Sequence, residues 1–141
     1  MLYGDSGRKK MKRPIGNYGG DVEHVETAQL IIDTDIVIDY LRQYASTLEK
    51  AITLFDCGIT AVTLYELRVN LVRSKRQQRR FDQVFPFLKI IPFDQDTADA
   101  AAQIWRTLQT SGSLIGLPDT LIAGTCVAQN LPFLTRNTQH Y

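Results

Sequence analysis

The order of secondary structure is decided by residues 30–41, which read LIIDTDIVIDYL. Its first four residues form a short apolar run that ends in Asp33, a pattern typical of a buried strand. The residues that follow place large side chains at Ile36, Tyr40 and Tyr44, which is the spacing of one helix face. The stretch therefore predicts a strand followed at once by a helix, with Asp33 at the junction.

The same alternation continues along the chain. Strands are predicted for residues 30–33, 58–62, 88–93 and 132–135, and helices for residues 36–44, about 48–57, 63–87, 97–111 and 118–129. Short apolar strands separated by helices favour right-handed crossovers and a parallel sheet with both faces covered. The predicted fold class is α/β, a three-layer α/β/α sandwich with a mainly parallel central sheet.

Several residues are typical of helix ends. Gly58 suits the left-handed position that ends the second helix, Gly112 closes the fourth helix and Asn130 ends the fifth. Asp96 suits the N-cap of the fourth helix, because a carboxylate there accepts hydrogen bonds from free backbone N–H groups.

Composition favours a single soluble domain. The chain has 141 residues, of which 44% are hydrophobic and 22% charged, values ordinary for one globular unit. Residues 1–28 contain six glycines or prolines and a basic run without apolar periodicity, so we expect a flexible tail or extension there and a folded domain over 29–141. No apolar run is long enough to span a membrane. Cys57 and Cys126 lack metal-ligand or disulfide spacing, and a cytoplasmic protein is expected.

Polar residues cluster where the strands are predicted to end. Asp33 ends the first strand, Glu66 lies in the first helical turn after the second, and Asp119 lies in the first turn of the last helix. Thr135 and Asn137 follow the last strand. Ligands of parallel α/β sheets gather beyond the carboxyl ends of the strands, and neighbouring carboxylates repel unless a hard cation compensates them. The pattern therefore implies a site for Mg²⁺ or Mn²⁺.

Each acid also has a purely structural interpretation. Thr63 and Glu66 have the spacing of a capping box, and Asp35 suits the N-cap of the first helix. Asp119 suits a helix N-terminus, where the helix dipole favours negative charge. Asp39 is expected on a solvated helix face.

Three motifs in the right order resemble the PIN-domain family, and within it the VapC-like toxin ribonucleases. They are IIDTDIVIDYL, ITAVTLYEL and the segment GSLIGLPDTLIAGTCVAQNLPFLTRNTQHY, and the resemblance covers residues 30–141. It implies that Asp33, Glu66 and Asp119 hold a metal ion directly or through water, with Thr135 and Asn137 assisting.

The resemblance also implies an activity and partners. The reaction would be metal-dependent hydrolysis of RNA phosphodiester bonds, and the partners would be RNA, a VapB-like antitoxin and a second copy of the chain. Many members carry a fourth acid where this chain has Asn137, and members usually continue beyond the position of Tyr141, so the chain is expected to be clipped at its C-terminus.

The helix after Glu66 is strongly basic. Its basic side chains are Arg68, Arg73, Lys75, Arg76, Arg79 and Arg80. Such a run could contact RNA phosphates without sequence preference, or it could simply be a solvated helix face.

Two other functions are consistent with the residues. Asp33 to Val37, DTDIV, also matches the strand-end nucleophile motif of haloacid-dehalogenase-like phosphatases. A catalytically silent scaffold or RNA-binding module with the same fold is the second alternative. Divalent-dependent RNA cleavage would distinguish the nuclease from both.

Overall fold

A computed structural model describes residues 28–71 and 73–139. The strands are β1 (Leu30–Ile32), β2 (Cys57–Thr60), β3 (Leu88–Ile91) and β4 (Phe133–Leu134), and the helices are α1 (Thr34–Leu41), α2 (Thr47–Leu54), α3 (Ala61–Glu66), α4 (Lys75–Val84), α5 (Gln95–Ser111) and α6 (Leu117–Gln129). A π-helical segment, Leu67–Leu71, continues α3, and a 3₁₀ turn, Phe85–Phe87, follows α4.

The four strands form one parallel sheet in the order β3-β2-β1-β4. Leu30 pairs with Cys57 on one side of β1, and Ile31 pairs with Phe133 on the other. The chain runs outward from β1 through β2 to β3 and then returns to the far side of β1. The strand order therefore reverses between β1 and β4, the place where α/β sheets bind their ligands.

Successive residues of β1 face opposite sides of the sheet. Ile32 belongs to the larger core cluster, which includes buried side chains of α1, α2 and α4, whereas Ile31 belongs to a smaller cluster with Ile91 and the half-buried Cys126 of α6. Helices thus cover both faces, and the predicted three-layer α/β/α sandwich is confirmed.

Helices α5 and α6, which pack against each other, approach very closely at one point. A Cβ atom at Gly124 of α6 would lie 2.6 Å from the Cβ of Ala101 on α5. Only a residue without a side chain permits this packing.

The predicted tail lies almost entirely outside the described residues. Of residues 1–28 only Ala28 is described; it is 7% exposed and packs in the smaller cluster. The described core therefore includes the last residue of the predicted tail. No helix of the described chain is long and apolar enough to cross a membrane.

The single long helix predicted over residues 63–87 is wrong. The helical region begins at Ala61, and it starts again at Lys75 after an interruption. Ser74 causes the restart: its hydroxyl accepts from the Gln77 amide at 3.1 Å, and the Gln77 side chain accepts from the Ser74 amide at 3.2 Å. This reciprocal capping box satisfies backbone groups that a continuous helix would otherwise use.

Two predicted helix ends are also wrong. Gly58 lies inside β2, where an added Cβ would come within 3.1 Å of the Lys89 carbonyl oxygen, so its role is close strand packing rather than helix termination. The N-cap of α5 is Asp94, whose carboxylate accepts from the Thr97 amide at 3.0 Å, rather than Asp96. Gly112 (φ 71°) and Asn130 (φ 50°) do end α5 and α6 in the left-handed conformation.

Candidate functional site

Asp33 lies at the strand-order reversal, directly after β1. It is 5% exposed and is the N-cap of α1. Its Oδ1 accepts from the Thr34 amide at 2.7 Å, and its Oδ2 accepts from the Thr135 hydroxyl, directly after β4, also at 2.7 Å. Two hydrogen bonds from different elements therefore fix the orientation of this carboxylate.

The surroundings of Asp33 disfavour its negative charge. Burial raises the pKa of Asp33 above its ordinary value, and the charges of Asp35 and Asp119 raise that pKa further. The hydrogen bonds from Thr135 and from the Thr34 backbone oppose this rise in pKa. A charged group held in a fixed orientation against burial and like charge is typical of a site that receives a cation.

Glu66 ends α3 and is linked to Asp33 through Thr34. The Thr34 hydroxyl donates to Glu66 Oε2 at 2.8 Å and lies 3.1 Å from the hydroxyl of Thr63, which in turn lies 3.1 Å from that of Thr60. Each hydroxyl has one hydrogen to donate, so the bond from Thr34 to Glu66 requires Thr63 to donate to Thr34. Three hydroxyls thus form a buried chain that ends on the carboxylate.

The capping-box interpretation of Thr63 and Glu66 is wrong. The N-cap of α3 is Thr60, whose hydroxyl accepts from the Thr63 amide at 3.0 Å. Glu66 is the last residue of α3 and is too far from the N-cap to share in it. The chain of threonines escaped the sequence analysis, although Thr60 and Thr63 have the spacing of a hydroxyl N-cap and its partner.

Asp119 lies in the first turn of α6 and is half-buried. Its charge acts on Asp33 across the reversal point, so the fold brings together two acids that are 86 residues apart by their numbers, 119 minus 33. A helix N-terminus also favours an acid there, and both interpretations of Asp119 agree with this position.

Thr135, Arg136 and Asn137 form the segment that follows β4. The Thr135 hydroxyl bonds Asp33 and also accepts from the Asn137 amide at 3.0 Å. Arg136 lies against α1, with its backbone N–H donating to Asp35 Oδ2 at 3.0 Å and its Nη1 lying 3.0 Å from Asp39 Oδ2.

Two predictions for α1 are therefore wrong. Asp35 is not the N-cap, because Asp33 has that role and Asp35 lies in the first turn. Asp39 is not on a solvated face; it is 7% exposed and paired with Arg136. No signal along the sequence indicated that pairing, since the partners lie 97 residues apart.

The donor set suits a hard cation, although the carboxylates are not gathered tightly. Within residues 28–71 and 73–139, no three Asp, Glu, His or Cys side chains are close enough to hold one metal ion together. Mg²⁺ commonly binds through one or two carboxylates and keeps several waters. Oδ1 of Asp35, two residues after Asp33, is buried without a hydrogen-bond partner in the described chain, and the charge of Asp35 raises the pKa of Asp33. Asp35 therefore offers a further oxygen of the kind that a hard cation binds.

An apolar cleft of about 420 Å³ adjoins the acidic residues between α3 and α6. It is lined by Ala61, Val62, Tyr65, Glu66, Leu117, Pro118 and Leu121. Tyr65 is 65% exposed and Leu117 is 61% exposed. Large apolar side chains exposed together typically mark a surface that binds something.

Much of the basic run has structural contacts. The Arg80 guanidinium donates to the Tyr40 carbonyl oxygen at 2.8 and 3.1 Å and lies 4.2 Å from the centre of the Tyr40 ring. Arg68 lies over the Phe85 ring, and Arg76 donates to the Gln43 side chain. Lys75 and Arg79 are exposed on α4 and remain available for phosphate contacts.

Comparison with known proteins gives consistent matches. The model of the PIN domain family matches residues 30–141. Ribonuclease VapC of Rickettsia bellii is 33% identical over 119 residues, which cover 79% of this chain and 87% of that relative.

Two solved structures share the fold. VapBC2 from Rickettsia felis, bound to a DNA fragment from its promoter, aligns with a TM-score of 0.69 at 24% identity, covering 77% of this chain and 87% of that one. A toxin–antitoxin complex from Klebsiella pneumoniae aligns with a TM-score of 0.61 at 26% identity, covering 77% of this chain and 85% of that one.

Proposed function

This chain belongs to the PIN domain family, and on that premise we propose that it is a metal-dependent endoribonuclease, the toxin of a toxin–antitoxin pair. The observation that carries the proposal is the environment of Asp33. Its carboxylate is buried, is held by Thr34 and Thr135, and is exposed to the charges of two further acids. Holding an anion in this way costs free energy unless a cation joins it.

Each residue of the site has a proposed role. Asp33, Glu66 and Asp119 would hold Mg²⁺ or Mn²⁺, some of them through water, since no three acids of the described chain are close enough to bind one ion together and Mg²⁺ commonly keeps several waters. A divalent ion bound there supplies positive charge against the scissile phosphate and lowers the pKa of a water. Thr135 keeps Asp33 oriented through its hydroxyl, and Thr34 does the same for Glu66. Asn137 offers an amide to a water or to the phosphate.

The proposed substrate is RNA and the proposed regulator is a VapB-like antitoxin. The support is the name of the Rickettsia bellii relative, a ribonuclease, and the toxin–antitoxin complex of similar fold from Klebsiella pneumoniae. A small antitoxin encoded next to this chain should inhibit cleavage at equimolar amounts. Cleavage that persists with excess antitoxin bound would contradict the proposed inhibition.

A second copy of the chain is the partner proposed for the apolar cleft. Tyr65 and Leu117 are large apolar side chains that line this cleft and are mostly exposed. Pairing of two copies through the cleft would bury them. Sedimentation should show a dimer for the wild type and a monomer for Leu117→Glu. A wild type that sediments as a monomer at micromolar concentration would exclude the dimer.

The decisive experiment compares Asp33→Asn with a matched control. Wild-type protein should cleave RNA with Mg²⁺ or Mn²⁺ and lose that activity with chelator, and Asp33→Asn should be inactive while still folded, because Asn also serves as an N-cap. Asp96→Asn removes an exposed acid from the first turn of α5 and should cleave normally. Unaltered cleavage by Asp33→Asn, free of contaminating nuclease, would refute the proposal.

The same assay tests the two alternatives. A haloacid-dehalogenase-like phosphatase would release phosphate from a small phosphomonoester, and the match of the PIN family model to residues 30–141 disfavours that activity. A silent scaffold would bind the metal, seen as a rise in melting temperature with Mn²⁺, without cleaving RNA.

A further inference from the structure

Arg136 connects the segment after β4 to helix α1 through both its backbone and its side chain. Its backbone N–H donates to Asp35 Oδ2 at 3.0 Å, and its Nε lies 3.9 Å from the same oxygen. Its Nη1 lies 3.0 Å from Oδ2 and 3.2 Å from Oδ1 of Asp39. One residue therefore holds two acids of α1.

The two acids form a matched receptor for a guanidinium group. Asp35 and Asp39 are four residues apart on α1 and so lie on one helix face. Their side chains are only 18% and 10% exposed, and two like charges so placed repel each other. Arg136 meets this pair with two groups: its backbone N–H donates to Asp35, and its guanidinium donates from Nη1 to Asp39 while Nε lies 3.9 Å from Asp35 Oδ2. An arginine presents these donors in a rigid planar fork, whereas a lysine offers them from one flexible ammonium.

The two neighbours of Arg136 are linked to Asp33, Thr135 directly and Asn137 through Thr135. Thr135 donates its hydroxyl to Asp33, and the Asn137 amide donates to that same hydroxyl oxygen. Fixing Arg136 therefore fixes both neighbours relative to α1, which Asp33 caps.

We propose that Arg136 is a positioning residue, whose pairing with Asp35 and Asp39 docks the segment after β4 onto α1 and so keeps the Thr135 hydroxyl on Asp33. Although the Arg136 side chain is 65% exposed, its guanidinium hydrogen-bonds Asp39 and its charge faces Asp35, so we assign it to docking rather than to binding RNA phosphate. The effect on cleavage rests on the proposed nuclease function, whereas the docking itself does not.

The docking can be tested without any activity. Hydrogen exchange of the Asn137 amide, which donates to Thr135, should be faster in Arg136→Gln than in wild type, because local opening of the segment after β4 becomes easier. Exchange in β1 and β2 should be unchanged. The control variant Arg106→Gln removes an exposed arginine from α5. It should leave exchange unchanged both at Asn137 and in β1 and β2. Unchanged exchange at Asn137 in Arg136→Gln would overturn the proposal.

Kinetics separate positioning from RNA binding. Arg136→Gln should lower kcat by about tenfold to a hundredfold and leave KM near the wild-type value, and Arg136→Lys should recover part of the loss. A variant that raises KM at constant kcat would show that Arg136 binds RNA and would overturn the proposal.

A double-mutant cycle identifies the partner. If Arg136 acts through Asp39, the pair Arg136→Gln and Asp39→Asn should lose no more activity than the more damaging single change. Effects that multiply would show that the two residues act independently, contrary to the proposal. If the wild type fails to cleave RNA with either metal, the nuclease assignment fails, and the exchange measurement alone then decides the docking.

Discussion

The acidic residues at the sheet edge where the strands have their carboxyl ends, and the basic residues on and before α4, carry opposite charge. They also differ in the contacts that the fold gives them. At the sheet edge, Asp33 is buried close enough to Asp35 and Asp119 for their charges to raise its pKa. On and before α4, Arg80 and Arg68 have carbonyl or aromatic partners. Like charges lie together in the first region, whereas several charges of the second region have structural partners.

This difference shows which charges indicate function. An arginine that stacks on a ring and bonds a carbonyl stabilises the fold. A carboxylate kept near other carboxylates destabilises it until a ligand arrives. Proximity of like charge in the fold therefore supports the proposed site, whereas the density of charge along the sequence is highest in the basic run.

After the loss of activity expected for Asp33→Asn, the largest expected effect on cleavage is at Glu66. Glu66→Gln should lower RNA cleavage by about a hundredfold, the upper range for residues that orient or support a metal. Its melting temperature without metal should stay near wild type, because Thr60 rather than Glu66 caps α3. The comparison variant is Thr60→Ala, which should lose about 1 kcal/mol of unfolding free energy because the cap is removed. Wild-type turnover in Glu66→Gln would remove Glu66 from the acidic site.

Arg80 tests whether the basic region is structural. Arg80→Ala should reduce the free energy of unfolding by about 2 kcal/mol, because it removes a charged donor from the Tyr40 carbonyl oxygen and a cation–π contact. Arg79→Ala, one residue earlier and exposed, should change it by about 0.5 kcal/mol or less. Urea denaturation measures both. Equal losses of unfolding free energy in Arg80→Ala and Arg79→Ala would show that the contacts of Arg80 do not stabilise the fold.

Asp33 should show the opposite behaviour to Arg80. Since burial and neighbouring acids raise the pKa of Asp33 in the folded state, its contribution to stability is present below its unfolded pKa of about 3.9 and is lost as pH rises through the folded pKa. In chelator, Asp33→Asn should therefore gain stability relative to wild type as pH rises from the acid range to neutrality. Denaturant unfolding across that range measures the gain, and parallel curves for the two proteins would contradict it. Mn²⁺ should stabilise wild type more than the variant.

The smallest effect is expected at the exposed residues of α4. Lys75→Ala and Arg79→Ala should leave stability unchanged and weaken RNA binding only slightly. If either side chain neutralises an RNA phosphate, its removal should decrease the slope of log affinity against log salt by about 0.7 per phosphate. Binding titrations at several salt concentrations measure that slope. An unchanged slope in both variants would show that Lys75 and Arg79 are solvated side chains that do not contact RNA phosphates.

Local sequence patterns predicted which helices and strands form better than they predicted the residues at which these begin and end. Gly112 and Asn130 end helices as expected, because a left-handed terminal residue is a property of a few adjacent positions. The break before α4 was missed although Ser74 and Gln77 have capping-box spacing, because the apolar spacing of residues 63–87 also fits a continuous helix.

The alternation of strands and helices, the parallel sheet and the place of Asp33 at a strand end follow from the sequence alone, because each depends on residues close together along the chain. Only the tertiary structure decided that Asp39 is buried against Arg136, that Thr135 bonds Asp33, and that three threonine hydroxyls lead to Glu66. Apart from the local contact of Thr60 with Thr63, these contacts join residues from 29 to 102 positions apart. Their geometry depends on how β1 and β4 pair and how the helices pack against them, which no spacing along the sequence records.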